Sequence, residues 1–152
     1  MSQVSGRAGR KGKQGLVILQ TKSPDLPIIR QVVNNDYQSF YNDLLVERRD
    51  FHYPPFYRLI YVYLKHRDES IVNTAGLELG SRLHEVFGDR ILGPDKPAVA
   101  RVKTLSIRKI MLKLEIGIDY ARVRQSLHNT IHELLKDKRY AALQVYFDVD
   151  PL

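Results

Sequence analysis

Between Arg58 and Val149 the apolar residues follow two repeats in turn, one of two residues and one of about 3.6. The first repeat is typical of a half-buried strand and the second of an amphipathic helix. Asp68 and Asp119 precede the two helical stretches, where a carboxylate caps the first free amide groups. Strands are predicted at residues 58–65, 98–104, 107–116 and 143–149. The predicted order is therefore strand, helix, strand, strand, helix, strand.

This βαββαβ order predicts an α+β domain of the ferredoxin-like type, with one sheet and both helices on one of its faces. Ahead of it, Pro54 and Pro55 end a helical pattern, because a proline pair cannot continue a helix. We therefore divide the chain into two domains, residues 1–50 and residues 51–152.

The first of these domains is predicted to hold a buried strand at residues 16–21 and a helix over residues 28–33. A second helix is expected to begin after Asp36, a plausible capping residue. Its apolar side chains recur at helical spacing and are expected to pack in a core; they are Tyr37, Phe40, Tyr41, Leu44 and Leu45.

The formal net charge of +7 is concentrated in two stretches. Residues 1–15 carry four basic side chains and no acidic one, and residues 94–113 carry six basic side chains and one acidic. Such clusters are typical of surfaces that bind the phosphates of nucleic acids. The 152 residues include no cysteine, which excludes disulfides and cysteine-ligated zinc within this sequence. No apolar run approaches the ~20 residues that a membrane-spanning helix needs, and we expect a cytoplasmic protein that has no membrane partner.

Strand alternation predicts which side chains face away from the helices. On that face tyrosines are expected beside cations, so that rings stack on the bases of a single-stranded nucleic acid while cations hold its phosphates. The predicted set is Tyr61, Tyr63, Tyr146, Arg101, Lys103 and Lys113, with Arg108 and Lys109 at the tip of the central hairpin. Asp148 and Asp150 are expected on the same face, each paired with a nearby lysine or arginine. The alternative is that another domain covers this face and that the tyrosines pack against it.

A short motif rich in glycine and arginine, QVSGRAGR, occupies residues 3–10. Two arginines three residues apart on such a turn can reach one phosphate, and a guanidinium neutralises a transferring γ-phosphoryl group well. The motif resembles the last conserved motif of superfamily-2 helicases, although Ser5 stands in place of alanine. The resemblance implies that Arg7 and Arg10 are catalytic and that, with Gln3 and Gly6, they contact the nucleotide. A loop that binds only nucleic acid is the alternative.

The rest of the chain resembles one family. Five segments of this sequence look like the C-terminal third of that family and follow one another in the same order: GLVILQT, DYQSFY, ERRDFHYPPFYRL, LGPDKPAVARVKTLSIRKIMLK and FDVDPL. The family is that of primosomal protein N-prime, the bacterial replication-restart DNA helicases. The resemblance implies that residues 1–50 end the second helicase lobe. It also implies that residues 51–152 form a C-terminal domain that helps to recognise branched DNA.

The same resemblance implies an ATP-dependent helicase that restarts replication at stalled forks through primosome assembly. ATP and magnesium would be its cofactors, with zinc bound elsewhere in the parent protein. Expected partners are forked and single-stranded DNA, the single-stranded DNA-binding protein and other primosome proteins. This sequence holds no Gly-x-x-x-x-Gly-Lys-Ser/Thr loop, so we expect a fragment that by itself binds none of these cofactors and hydrolyses no ATP. The alternative from another class is a free-standing module for structured RNA that resembles a ribosomal protein.

Overall fold

The computed structural model of the protein describes residues 16–151. The chain forms two compact units, divided between Glu47 and Arg48. The helicase-like motif, with Gln3, Gly6, Arg7 and Arg10, lies outside the described residues, and its role stays a prediction.

The described part of the first unit is built on α1 (Pro27–Val33) and on α2 (Tyr37–Asp50) as far as Glu47, where the unit ends. Both predicted helices are confirmed. Pro27 opens α1, where its missing amide hydrogen costs nothing. The Asp36 carboxylate accepts a hydrogen bond from the Ser39 amide at 3.0 Å and so caps α2. The expected core is absent from this described part, since neither helix has a buried residue and Tyr37 is 71% exposed.

The strand predicted at residues 16–21 is wrong, because these residues have no regular secondary structure. Their apolar side chains are open to solvent, with Leu16 85% and Ile18 81% exposed. A buried strand needs neighbours that supply both hydrogen bonds and packing. The described residues of the first unit provide no such neighbours.

The second unit is one antiparallel sheet with two helices on one face. Its elements are β1 (Tyr57–His66), α3 (Glu69–Phe87), β2 (Ile91–Asp95), β3 (Arg101–Val102), β4 (Leu105–Glu115), α4 (Tyr120–Leu135) and β5 (Gln144–Val149). The long strands lie in the order β2-β4-β1-β5, and the short β3 pairs with β4. This order places the first strand between the third and the last long strands, as in the ferredoxin-like fold. The predicted fold class is confirmed.

The core lies between the two helices and one face of the sheet. Alternation directs seven apolar side chains of the first and central strands towards the helices. Six of them are buried, namely Ile60, Val62, Leu64, Ile110, Leu112 and Leu114. The seventh, Ile116, follows the end of β4 and is exposed, so its predicted burial is wrong. Asp68 and Asp119 cap α3 and α4 by accepting hydrogen bonds from amides of the first turn. Among the described helices, none combines the length and the apolar character that crossing a bilayer requires.

The second long strand is not where alternation predicted it. Within residues 98–104 only Arg101–Val102 is a strand, and β2 takes the sheet edge instead. Gly93 and Pro94 are residues typical of turns, so the sequence does not predict a strand at β2, but an edge strand tolerates both. Gly93 has φ = +100°, and a Cβ there would lie 2.9 Å from the carbonyl oxygen of Lys109. Glycine therefore allows β2 to approach β4 closely.

The last strand leaves part of the helix side uncovered. Phe147 and Val149 face that side, opposite Val62 and Ile60, as alternation predicts. They are nevertheless 40% and 55% exposed, and they line a groove of about 350 Å³ beside Tyr120 of α4. The groove is separate from the opposite face of the sheet, where the candidate site lies.

Candidate nucleic-acid interface

The candidate site lies on the face of the sheet opposite the helices, which we call the open face. By strand register it comprises Tyr61, Tyr63 and Lys65 on β1, Lys109, Met111 and Lys113 on β4, and Tyr146 and Asp148 on β5. Leu59 and Ile107 also lie on this side but are buried, because the chain itself covers both ends of the face. The accessible part is the central strip around the tyrosines.

Three tyrosine rings pack together in that strip. Tyr63 and Tyr146 lie directly opposite each other, and their rings stack with centroids 4.9 Å apart and planes 12° from parallel. Tyr61 meets Tyr63 edge-on at 6.1 Å. Tyr61 and Tyr63 are half-buried and Tyr146 is 39% exposed, so ring surface remains open to a ligand. Burial raises the pKa of the Tyr61 and Tyr63 hydroxyls.

Two lysines lie over this tyrosine cluster. Nζ of Lys109 is 4.4 Å from the ring centroid of Tyr61, and Nζ of Lys65 is 4.4 Å from that of Tyr146. Within the described residues neither ammonium has a salt-bridge partner, so both charges are available to phosphate. Lys65 is missing from the predicted set, although its place two residues after Tyr63 is a sufficient signal.

The third lysine of the open face, Lys113, is engaged by the chain itself. Its Nζ donates a hydrogen bond to the carbonyl oxygen of Phe51 at 2.6 Å and lies 4.2 Å from the ring centroid of Tyr53. Burial lowers the pKa of Lys113. This side chain therefore fastens residues 51–53 to the sheet rather than offering a free charge.

Arg108 and Lys109 do not lie at a hairpin tip, which corrects their predicted placement. Both are within β4, and Arg108 points to the helix side, where it is only 5% exposed. Its Nη2 donates to Oε1 of Glu69 at 2.7 Å, and its Nη1 donates to the carbonyl oxygen of Ile107 at 2.7 Å. Because its charge is buried and paired, Arg108 offers no free cation to a nucleic acid.

Arg101 and Lys103 also lie elsewhere than predicted. Arg101 is opposite Ser106, on the helix side of β4, so its predicted outward orientation is wrong. Lys103 is in the two-residue turn between β3 and β4, with φ = +54°. Both side chains are exposed at the end of this hairpin and do not flank the tyrosines. The error follows from the misplaced strand at residues 98–104.

The two aspartates near the C-terminus differ in their surroundings. Asp150 accepts a hydrogen bond from the amide of Leu59 at 3.1 Å and lies 3.6 Å from Nε of Arg58, as the predicted pairing requires. Asp148 is exposed on the open face, opposite Tyr61. Among the described residues it has no salt-bridge or side-chain hydrogen-bond partner, so its predicted pairing is wrong.

Known proteins resemble this chain along its length. The family model for the primosomal protein N C-terminal domain matches residues 49–152. The replication restart protein PriA of Bacillus subtilis is 36% identical over 105 residues, covering 68% of this chain and 13% of that protein. Its counterparts in Treponema pallidum and Borreliella burgdorferi are 31% and 27% identical, covering 100% and 99% of this chain and 22% of each relative. The chain thus spans less than a quarter of the length of these relatives, and it belongs to the primosomal protein N C-terminal domain family.

Proposed function

We propose that this chain is the C-terminal part of an ATP-dependent DNA helicase that restarts replication at stalled or branched forks. We further propose that the open face binds the single-stranded parts of such forks. The relatives bear the name replication restart protein, and each is several times longer than this chain, which favours a fragment over a free-standing RNA-binding module. The observation that carries the DNA-binding proposal is the stack of Tyr63 on Tyr146 with Lys65 above it.

The chemistry of the open face suits a single strand. Unpaired bases expose their ring faces, which stack on aromatic side chains whatever the base. Lys109 and Lys65 lie over the tyrosines at opposite sides of the cluster and would hold phosphates on either side of a stacked base. A duplex hides its base faces, so the tyrosines would add little to duplex binding.

The nucleotide chemistry of the parent helicase would need more than this chain supplies. Arg7 and Arg10 would approach the γ-phosphate of ATP as arginine fingers, with Gln3 and Gly6 beside them. A phosphate-binding loop and magnesium ligands would come from other parts of the parent. The parent would hold its zinc in other parts of its chain, because this sequence has no cysteine to bind it.

The exposed apolar side chains of the first unit support the proposal that it belongs to a larger helicase lobe. Its described residues include none that is buried, while Leu16, Ile18 and Val33 are strongly exposed. Apolar surface of this extent normally packs against further structure. We propose that the rest of the second helicase lobe covers it, that the parent works in the cytoplasm, and that it meets the single-stranded DNA-binding protein and other primosome proteins there.

Two neighbouring residues of β5 test the binding proposal. Tyr146 lies on the open face and Phe147 on the helix side, with nearly equal exposure of 39% and 40%. Tyr146→Ala is expected to weaken binding of labelled single-stranded DNA by about 1–3 kcal/mol, as loss of one stacking ring does. Phe147→Ala serves as the matched control and should bind like the wild type. Fluorescence anisotropy with single-stranded and forked DNA measures both, and equal affinities for all three proteins would rule out the open face as the site.

A further inference from the structure

One group on the open face is unsuited to binding phosphate. Asp148 lies directly across from Tyr61 and two residues after Tyr146, so its carboxylate borders the tyrosine cluster. It is exposed, and within the described chain it has no ion-pair partner. A free carboxylate repels phosphate and accepts hydrogen bonds without donating any.

Asp148 is close enough to the rings to act on whatever stacks there. Burial is the largest cause of the raised pKa of Tyr61 and of Tyr63, and the next is a neighbouring hydroxyl, that of Tyr53 for Tyr61 and that of Tyr146 for Tyr63. The charge of Asp148 is the third cause for both rings. Lys109, by contrast, lies two strands away, which is about 10 Å across the sheet, and is also offset along the strands, because it pairs with Tyr63 and Asp148 with Tyr61. The two charges therefore flank the tyrosines on opposite sides instead of neutralising each other.

This arrangement orients a bound strand. By register Lys109 and Lys65 lie level with Tyr63 and Gln144, further along the strands than Asp148. Phosphates held by these two lysines would leave the edge of a stacked base to point towards the carboxylate. Cytosine presents an amino group there, which donates well to a carboxylate. Thymine presents carbonyl oxygens on either side of its one N–H, and these oxygens repel the carboxylate.

We propose that Asp148 is a specificity-determining residue, which makes the open face prefer single strands whose bases carry an amino group, cytosine above all, to thymine-rich strands. The inference rests on the proposed binding of single-stranded DNA to this face. The binding proposal concerns whether single strands bind to this face, whereas this inference concerns the ratio of the affinities for cytosine-rich and thymine-rich strands.

The test compares oligodeoxycytidylate and oligothymidylate of equal length, labelled and titrated at the same salt concentration and slightly alkaline pH. Wild-type protein is expected to bind the cytosine strand about tenfold more tightly, as one hydrogen bond to a charged group provides. Asp148→Asn should reduce this ratio to near one, because the amide accepts more weakly from cytosine than the carboxylate does and can also donate to a thymine carbonyl oxygen. Glu85→Gln removes one exposed negative charge from α3, off the open face, and should leave the ratio unchanged.

Each outcome has a distinct meaning. Equal binding of the two strands by the wild type, or a ratio that survives in Asp148→Asn, would overturn the role of Asp148 while leaving the binding proposal in place. Failure of the wild type to bind either strand would overturn the binding proposal and this inference with it. A ratio that changes equally in Glu85→Gln would show a general effect of net charge and would also overturn the inference.

Discussion

The guanidinium of Arg108 donates a hydrogen bond to the carboxylate of Glu69 across 2.7 Å and so ties β4 to the first turn of α3. Lys96 lies 3.4 Å from the same carboxylate oxygen. These contacts, with the Arg108 hydrogen bond the strongest, lower the pKa of Glu69. The buried arginine thus depends on an ionised partner at the surface.

Replacing that partner is expected to destabilise the second unit in a pH-dependent way. The pKa of Glu69 is lower in the folded state than in the unfolded chain, so its contribution is complete above the ordinary carboxyl pKa and is lost as the pH falls through the lowered value. Glu69→Gln should therefore lower the urea midpoint of unfolding at pH 7, and the difference from wild type should shrink below about pH 4.

A matched substitution controls for the loss of any paired carboxylate. Glu133 pairs with Lys136 on the surface of α4, and a hydrogen bond from that lysine lowers its pKa too. Both members of that pair are exposed, so Glu133→Gln should change the midpoint less than Glu69→Gln does. Equal midpoints for the two variants at pH 7 would show that the buried guanidinium does not need Glu69.

Lys113 gives a second prediction, on stability rather than binding. Lys113→Met removes the hydrogen bond to Phe51 and the contact with the Tyr53 ring, and should cost about 1–2 kcal/mol in urea unfolding. The released residues 51–53 should also be cut faster by chymotrypsin, which cleaves after aromatic residues. Lys109→Met loses only its contact with Tyr61 and should cost less than about 1 kcal/mol. An unchanged cleavage rate in Lys113→Met would mean that the lysine does not hold this segment.

The part of the site that could be predicted from sequence is the part that depends on local periodicity. Tyr61 and Tyr63 are placed by alternation along β1, because burial alternates with a period of two from Ile60 to Leu64. Alternation along β4 puts Arg108 on the helix side with Ile110, but it does not reveal the partner of the charge. That partner, Glu69, lies 39 residues earlier, and no local pattern links the two residues.

The edge strand β2 is a second feature that periodicity in the sequence does not predict. β2 contains Gly93 and Pro94, which in sequence are typical of turns, and its register with β4 shifts between Leu92 and Asp95. A short, irregular strand gains its hydrogen bonds from β4, not from its own composition. Alternation therefore predicts the strand within the basic stretch that follows, and this error alone places Arg101 and Lys103 beside the tyrosines.

The ATP-dependent part of the proposal predicts a loss of turnover in the full-length parent. Arg10→Ala there should reduce DNA-stimulated ATP hydrolysis by about 10³-fold or more, as the loss of an arginine finger does, with little change in DNA affinity. This chain alone should hydrolyse no ATP above background, with or without DNA. Collapse of DNA binding with normal turnover per bound enzyme would instead make the arginines nucleic-acid contacts.

The salt dependence of binding separates the lysines that reach phosphate from those that do not. Each cation that neutralises a phosphate of a single strand contributes about 0.7 to the slope of log affinity against log salt concentration. Lys109→Ala and Lys65→Ala should therefore each lower the magnitude of the slope by about that amount, because both ammonium groups are free of salt bridges in the described chain. Lys113→Met should leave the slope unchanged, since the Lys113 ammonium is half-buried and already donates to the carbonyl oxygen of Phe51. Lys138→Ala, which removes an exposed lysine from the short 3₁₀ turn after α4, controls for net charge and should also leave it unchanged. If Lys113→Met lowers the slope while Lys109→Ala does not, the phosphates pass over the opposite end of the sheet from the one assigned to them here.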